Sequence, residues 1–281
     1  MEVNQFFEKS ILDYESLRSE YQNFIVEKFD RQDFIDYNEI LFSAHSCAIE
    51  GNSFSVNDTR ELKERGLGMI PYGKTLYEAF EILDHFNAYE FLLNRLDEPL
   101  SEKLLKDTHI LLTEHTLPYR VKGAVPGEYT DTDMAAGDTI FGDHTKLIPQ
   151  VPKLLESTQS EIDKGNIHPV ILAARFHCFF EFLHPFRDGN GRIGRLFSNF
   201  IMLKCNHPMI IFSKEDKEQY ISSLIFYGKE RTDEFIIDFF FKTAIKRMNG
   251  DIQEKKNLTQ NFVQGMDSIH KLRTEINFTS D

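Results

Sequence analysis

The side chains best suited to chemistry in this 281-residue chain are concentrated in twelve residues, from His184 to Arg195. They read His-Pro-Phe-Arg-Asp-Gly-Asn-Gly-Arg-Ile-Gly-Arg. His184 has an unperturbed pKa near ~6.5, so it is a natural proton acceptor at neutral pH. Asp188 offers the hard oxygen ligand that Mg²⁺ takes beside substrate phosphates. The segment therefore places a base close to a metal ligand.

The rest of this segment predicts an anion site at the start of a helix. Gly189 and Gly191 permit positive φ and close approach of the backbone. Successive N–H groups at a helix start attract phosphate. Arg192 and Arg195 are three residues apart, so they share one face of the first helical turn and can both reach phosphate oxygens. An ordinary interhelical loop needs neither the histidine nor the paired arginines.

This segment resembles the signature of the Fic family, H-x-F-x-[DE]-G-N-G-R-x-x-R, and matches it at every fixed position. A looser resemblance extends over about Leu76 to Phe241. Fic proteins mostly transfer AMP from ATP to a hydroxyl side chain of a target protein. The resemblance therefore implies a protein adenylyltransferase that uses ATP and Mg²⁺, and that modifies a Tyr, Thr or Ser of a target or of itself.

The resemblance also implies a role for each residue of the segment. His184 would deprotonate the target hydroxyl as it attacks the α-phosphorus, and Asp188 would hold Mg²⁺ on the α- and β-phosphates. Phe186 would be buried and would anchor the loop. The phosphates would be held by the backbone of Gly189, Asn190 and Gly191 with the Asn190 side chain at the α-phosphate, and by Arg192 and Arg195 at the β- and γ-phosphates.

A second segment, Ser46-Cys47-Ala48-Ile49-Glu50-Gly51, ends a predicted helix. A carboxylate in the last helical turn is disfavoured by about 0.3–1 kcal/mol, and by itself Glu50 would be interpreted as a solvated side chain. Beside the signature, the segment resembles the inhibitory motif [ST]-x-x-x-E-[GN] of Fic proteins that inhibit themselves. That resemblance implies that Glu50 pairs with Arg195, and that Ser46 fixes the helix or bonds near this pair.

Two further features are similar to parts of a Fic site. Residues 139–141 and 144–146 flank Gly142-Asp143, which predicts a hairpin with a tight turn. By resemblance, Ile140, Phe141 and Gly142 would form a flap that aligns the target by strand addition, although a surface ornament is the alternative. Tyr220 lies where related sequences place an aromatic residue against adenine, and core packing explains it equally well.

Other histidines receive structural interpretations. His177 lies between phenylalanines on a predicted helix, so we interpret it as a core histidine. His109, His115 and His144 lack metal-like spacing with carboxylates.

Apolar residues recur at helical spacing almost everywhere, which predicts an all-α chain with one small hairpin. We expect an N-terminal helical region over 1–75 that carries the inhibitory helix, a Fic catalytic domain over 76–250, and a helical or loose tail over 251–281. The predicted helices span about 7–29, 32–50, 76–96, 101–115, 151–165, 169–183, 191–204, a segment from 214, and 233–248.

Composition limits the partners and the compartment. Lys and Arg number 32 and Asp and Glu 45, a net charge of −13 that argues against general nucleic-acid binding but allows a small basic pocket. No apolar run approaches the ~18 residues that span a bilayer, and the first residues lack a secretory signal. Three separated cysteines suggest neither disulfides nor zinc. We expect a cytoplasmic protein with no membrane partner, and a homodimer remains open.

Other functions remain open at this point. The same site could remove AMP from a modified protein, with Glu50 positioning a water, or transfer another phosphate-bearing group. A different class is a regulatory module, such as one half of a toxin–antitoxin pair. The intact His184, Asp188 and Arg195 favour turnover over a binding module.

Overall fold

The computed structural model describes the backbone of residues 2–68, 70–136, 139–141 and 143–278, and the side chains of 4–68, 70–135, 141 and 143–257. Helices dominate this part of the chain, which confirms the predicted all-α class. In chain order the α-helices are α1 (Glu2–Phe6), α2 (Glu8–Phe24), α3 (Arg31–Ile49), α4 (Val56–Arg65), α5 (Leu76–Leu93), α6 (Glu102–Thr113), α7 (Leu117–Arg120), α8 (His144–Leu147), α9 (Val151–Lys164), α10 (Pro169–Leu183), α11 (Asn190–Lys204), α12 (Lys217–Glu230) and α13 (Glu234–Phe278).

Shorter elements join these helices. Single turns of 3₁₀-helix span Val26–Lys28, Gly66–Gly68, Ile148–Gln150 and Lys214–Asp216. Two short strands, β1 (Ala135–Ala136) and β2 (Thr139–Ile140), pair antiparallel. Within the described residues, no helix combines the length and the apolar character needed to cross a bilayer.

Local sequence explains where the helices near the site begin. The Asp30 carboxylate accepts hydrogen bonds from the N–H groups of Gln32 and Asp33, which caps α3. Thr75 and Glu78 form a reciprocal capping box at the start of α5. These caps fix α3, which carries Glu50 at its C-terminal end, and α5, which packs against α3.

The centre of the core is the pair α10 and α11, which pack against each other and are joined by the loop that contains the signature. Both are buried on most faces, although α11 also buries polar side chains of the signature such as Arg192 and Arg195. Burying a phenylalanine contributes roughly 1.5–3 kcal/mol, so these helices form a rigid support for the loop. The fully buried phenylalanines of this region are Phe176, Phe180, Phe186, Phe197 and Phe200.

The two ends of the chain pack together, because α2 lies along α13. The Tyr21 hydroxyl donates to Asp251 Oδ2 at 2.9 Å, and both Tyr14 and Tyr21 are buried. The helix α13 runs without a break through 250, where we expected a tail to begin, so this part of the tail is helical and continuous with the helix before it.

The predicted hairpin is wrong in its register. Residues 139–140 form a strand, but its partner is β1, with Ala135 opposite Ile140. Residues 144–146 belong to α8, because the Asp143 carboxylate accepts from the Thr145 N–H at 3.0 Å and so caps a helix. Gly142, predicted in the turn and in the flap, lies outside the described residues, as does the Ile140 side chain.

Candidate active site

The loop from His184 to Gly189 is closed by the Asn190 side chain. Asn190 Oδ1 accepts from the Phe186 N–H at 2.9 Å, and its Nδ2 donates to the Phe186 carbonyl at 2.7 Å. The loop backbone is fixed again where the Thr130 N–H donates to the Pro185 carbonyl at 2.7 Å. The amide of Asn190 is therefore used to shape the loop, and Gly189, at φ 83°, makes the turn into α11.

His109 packs against the signature loop and bonds to its backbone, a role that the sequence analysis missed. Its ring stacks on buried Phe186 with centroids 3.8 Å apart. Nδ1 accepts from the Gly127 N–H at 2.8 Å, so Nε2 carries the proton and donates to the Asp188 carbonyl at 3.0 Å. Burial lowers the pKa of His109 to about 4, which keeps the ring neutral. The contact spans 79 residues, and no local pattern predicts it.

His184 ends α10 in the left-handed conformation, at φ 45° and ψ 56°. Its Nδ1 lies 3.4 Å from the Glu181 carbonyl, and the Phe141 ring stacks on the imidazole at 4.2 Å. Burial lowers the pKa of His184 to about 4, so the ring is neutral near pH 7. With the proton on Nδ1, Nε2 is left as the basic atom.

Arg195 is held by the end of α3. Its Nη2 donates to Glu50 Oε1 at 2.8 Å and to the Ser46 carbonyl at 2.9 Å, and its Nε donates to Ser46 Oγ at 3.1 Å. The arginine side chain is only 2% exposed. The structure therefore brings Glu50 and Ser46 onto Arg195, as the resemblance implies.

Gly191 makes room for the Glu50 carboxylate. A Cβ at position 191 would lie 2.5 Å from Glu50 Oε1, a distance that real contacts do not reach. Burial would raise the pKa of Glu50, but the charges of Arg195 and Arg192 outweigh it and hold the pKa below its ordinary value. Glu50 is therefore an ionised carboxylate seated on the first turn of α11.

Arg192 is enclosed by carboxylates, one of which the sequence analysis did not identify. Its Nη1 lies 2.8 Å from Glu81 Oε1 on α5, and its Nη2 donates to Asp188 Oδ2 at 3.1 Å. The side chain is 1% exposed. Arg120, also missed, lies 3.6 Å from Asp188 and 3.5 Å from Glu81. Asn52 Nδ2 donates to the second Glu81 oxygen at 2.9 Å, which connects this cluster to the chain just after Glu50.

Tyr220 lies beneath Arg195 and is 1% exposed. Its hydroxyl accepts from Arg195 Nη1 at 3.4 Å and bonds to His177 Nε2 at 2.8 Å. In this arrangement the tyrosine supports the arginine, and a contact with adenine stays a prediction. His177 is fully buried, in line with its interpretation as a core histidine, and its Nδ1 has no well-formed hydrogen bond among the described residues.

The chemistry of Asp188 suits Mg²⁺. Both guanidinium contacts of its carboxylate use the same oxygen, Oδ2, and the side chain is 20% exposed. Mg²⁺ is commonly bound by one or two carboxylates together with substrate phosphates and waters. The donor set therefore fits an ion that arrives with a nucleotide.

Comparison with known proteins identifies a domain within the chain. The model of the Fic/DOC family matches residues 99–202, which include the whole loop and most of α11. The chain carries a Fic/DOC domain. The protein adenylyltransferase Fic of Drosophila grimshawi is 32% identical over 179 residues, which are 63% of this chain and 35% of that protein. The chain thus spans about a third of the length of the curated relatives that it matches.

Solved structures share the fold. A Fic-domain signaling protein from Bacteroides thetaiotaomicron superposes with a TM-score of 0.74 at 22% identity, over 87% of this chain and 97% of that one. A fragment of Fic-1 from C. elegans superposes with a TM-score of 0.75 at 22% identity, over 91% of this chain and 74% of that one. The predicted Fic-type helical fold is therefore confirmed.

Proposed function

We propose that this Fic-domain protein transfers AMP from ATP to a Tyr, Thr or Ser hydroxyl of a target protein or of itself. The observation that carries the proposal is the neutral His184 in a loop that Asn190 closes and that leads directly into the N-terminus of α11. Relatives with about 30% identity over two thirds of this chain are named protein adenylyltransferases, which supports the same reaction.

The chain's own residues account for each part of the transfer. His184 Nε2 takes the hydroxyl proton while the oxygen attacks the α-phosphorus, and the bond to pyrophosphate breaks. The N–H groups and positive dipole at the start of α11 face the charge on the α-phosphate. Asp188 would hold Mg²⁺, which when bound neutralises phosphate charge. Buried Arg192 holds the Asp188 carboxylate in place.

Arg195 is the proposed partner of the γ-phosphate, and Glu50 occupies it in this structure. We infer that the enzyme inhibits itself, because a carboxylate on Arg195 excludes a phosphate from the same donors. The free thiols of Cys47, Cys178 and Cys205 support a reducing compartment, and we propose the cytoplasm.

The test is labelling with ATP that carries the label on the α- or the γ-phosphate. We expect Glu50→Gly to raise protein labelling from α-labelled ATP about tenfold or more, since each ~1.4 kcal/mol of relieved inhibition is a factor of ten in rate. Adding His184→Ala should abolish this labelling.

Three results would contradict parts of the proposal. Labelling from γ-labelled ATP alone would indicate phosphate transfer. No gain in Glu50→Gly would exclude the inhibitory role of Glu50. Loss of AMP from a previously modified protein would point to the reverse reaction.

A further inference from the structure

Arg120, Arg192 and Arg195 form ion pairs with a group of three carboxylates near the start of α11, namely Glu50, Glu81 and Asp188. The three arginines differ in exposure. Arg192 is 1% exposed and Arg195 is 2% exposed, whereas Arg120 is 38% exposed. An anion that approaches from solvent therefore meets Arg120 before either signature arginine.

The ion pairs of Arg120 are also the longest of the group. The two signature arginines have carboxylate partners at 2.8 Å, but Arg120 Nη1 lies 3.5 Å from Glu81 and 3.6 Å from Asp188. A guanidinium has five N–H donors. Arg120 can therefore bind a phosphate without losing a short buried pair.

Arg120 also lines a cleft that opens beside the inhibitory contact. The cleft has a volume of about 410 Å³, and its wall includes Glu50, Asn52, Tyr77, Glu81, Tyr119 and Arg120. The Tyr77 hydroxyl lies within hydrogen-bonding reach of the Arg120 guanidinium. Arg120 is the cation of the cleft wall, among the carboxylates of Glu50, Glu78 and Glu81. Its guanidinium also lies 3.6 Å from Asp188, so it connects the cleft to the proposed Mg²⁺ ligand.

We propose that Arg120 binds the two phosphates that leave as pyrophosphate, and so selects nucleotide donors with a diphosphate leaving group. The inference rests on the proposed AMP transfer. When the bond between the α-phosphorus and the bridging oxygen breaks, the electron pair stays on that oxygen. The Arg120 guanidinium then offsets negative charge on the departing pyrophosphate.

The experiment measures nucleotide binding with the full chain in the Glu50→Gly/His184→Ala background, so that the site is open and no transfer occurs. ATP and AMP are titrated by calorimetry in the presence of Mg²⁺, with Arg120, Arg120→Ala and Arg120→Lys. Lys122→Ala, an exposed cation two residues away, is the matched control.

We expect Arg120→Ala to weaken ATP binding by roughly tenfold to a hundredfold, as for a lost hydrogen bond to a charged group, and to leave AMP binding unchanged. Arg120→Lys should recover part of the loss, because it keeps the charge but not the forked donors. Lys122→Ala should change neither. Equal losses for ATP and AMP, or no loss for ATP, would overturn the inference.

The two proposals fail in different ways. If ATP binding depends on Arg120 but Glu50→Gly transfers no AMP, the proposed function fails alone. If Glu50→Gly transfers AMP and ATP binding ignores Arg120, this inference fails alone. Circular dichroism of each variant checks that the helical fold is kept.

Discussion

Single side chains decide whether Arg195 is available. It is held by three acceptors from one helical turn, the Glu50 carboxylate and the hydroxyl and carbonyl of Ser46. Only the carboxylate neutralises its charge. The hydroxyl adds one charge-assisted hydrogen bond, which is worth about 1.5–3 kcal/mol when both groups are buried.

Ser46→Ala should therefore release Arg195 in part. We expect protein labelling from α-labelled ATP to rise severalfold, but less than in Glu50→Gly, because the carboxylate and the Ser46 carbonyl remain. Ser43→Ala is the matched control, since Ser43 is equally buried on α3 but bonds to His85 instead of Arg195. Labelling that is equal in the two serine variants would contradict a specific role for Ser46.

Glu181 gives a pH-dependent prediction at the same scale. Burial raises its pKa to about 8 from an ordinary value near 4.5, and the Glu181 side chain is only 12% exposed. Between these values the folded protein keeps a proton that the unfolded chain releases, so this residue lowers stability as pH rises from about 4.5 to 8.

Glu181→Gln removes this penalty. Relative to the unmodified protein, the variant should gain up to ~1.4 kcal/mol per pH unit in that window. Urea unfolding of both proteins at pH 5.5 and pH 8 measures the difference. A stability gap that narrows towards pH 8 would show that the carboxyl is ionised in the folded state.

At the scale of elements, two asparagines of α11 each fix a neighbouring segment by bonding its backbone, and the first of them closes the signature loop. Asn190 bonds both backbone groups of Phe186, whereas Asn199 on the same helix bonds both backbone groups of Ile210. Each asparagine satisfies one buried donor and one buried acceptor.

Asn190→Ala and Asn199→Ala should each lower the free energy of unfolding by about 2–4 kcal/mol, because two buried backbone groups lose their partners. Only Asn190→Ala should also lower AMP transfer in the Glu50→Gly background, since the other contact lies away from His184. Chemical denaturation and α-labelled ATP measure the two effects. Equal losses of activity would mean that stability alone explains them.

Sequence predicted the elements that depend on local patterns. The spacing of the residues from His184 to Arg195 predicts the loop, whereas the contact of Glu50 with Arg195 is implied by the family resemblance alone. Supports that join distant segments could not be predicted, because Glu81, His109 and Arg120 lie 68 to 111 residues from the signature residues that they contact. The hairpin register failed for a local reason, since Asp143 caps a helix where we expected a turn.

For the whole molecule, buried neutral histidines make the free energy of unfolding sensitive to acid. Burial lowers the pKa of seven described histidines, and His207, between Tyr14 and Glu15, is lowered to about 4. Below about pH 6.5, the ordinary pKa of histidine, these side chains bind protons in the unfolded chain but stay neutral in the folded protein. The group consists of His45, His85, His109, His168, His177, His184 and His207.

Stability should therefore fall steeply as pH drops from about 6.5 to 4, with up to ~1.4 kcal/mol per pH unit from each such histidine. Urea midpoints at pH 7, 6 and 5 measure the slope, and His207→Gln should make it shallower. His115→Gln is the control of opposite sign, because the hydrogen bond to Asp84 raises the pKa of His115. A slope that His207→Gln leaves unchanged would contradict this account.

The position of Glu50 has a consequence for dosage. It ends a helix whose last turns are buried in the same chain as Arg195, so the proposed inhibitor has a fixed effective concentration beside its site. The equilibrium between bound and released Arg195 is then independent of the protein concentration. A separate inhibitory subunit would have to be produced in equal amount to the enzyme, whereas here each copy of the chain contains its own proposed inhibitory residue.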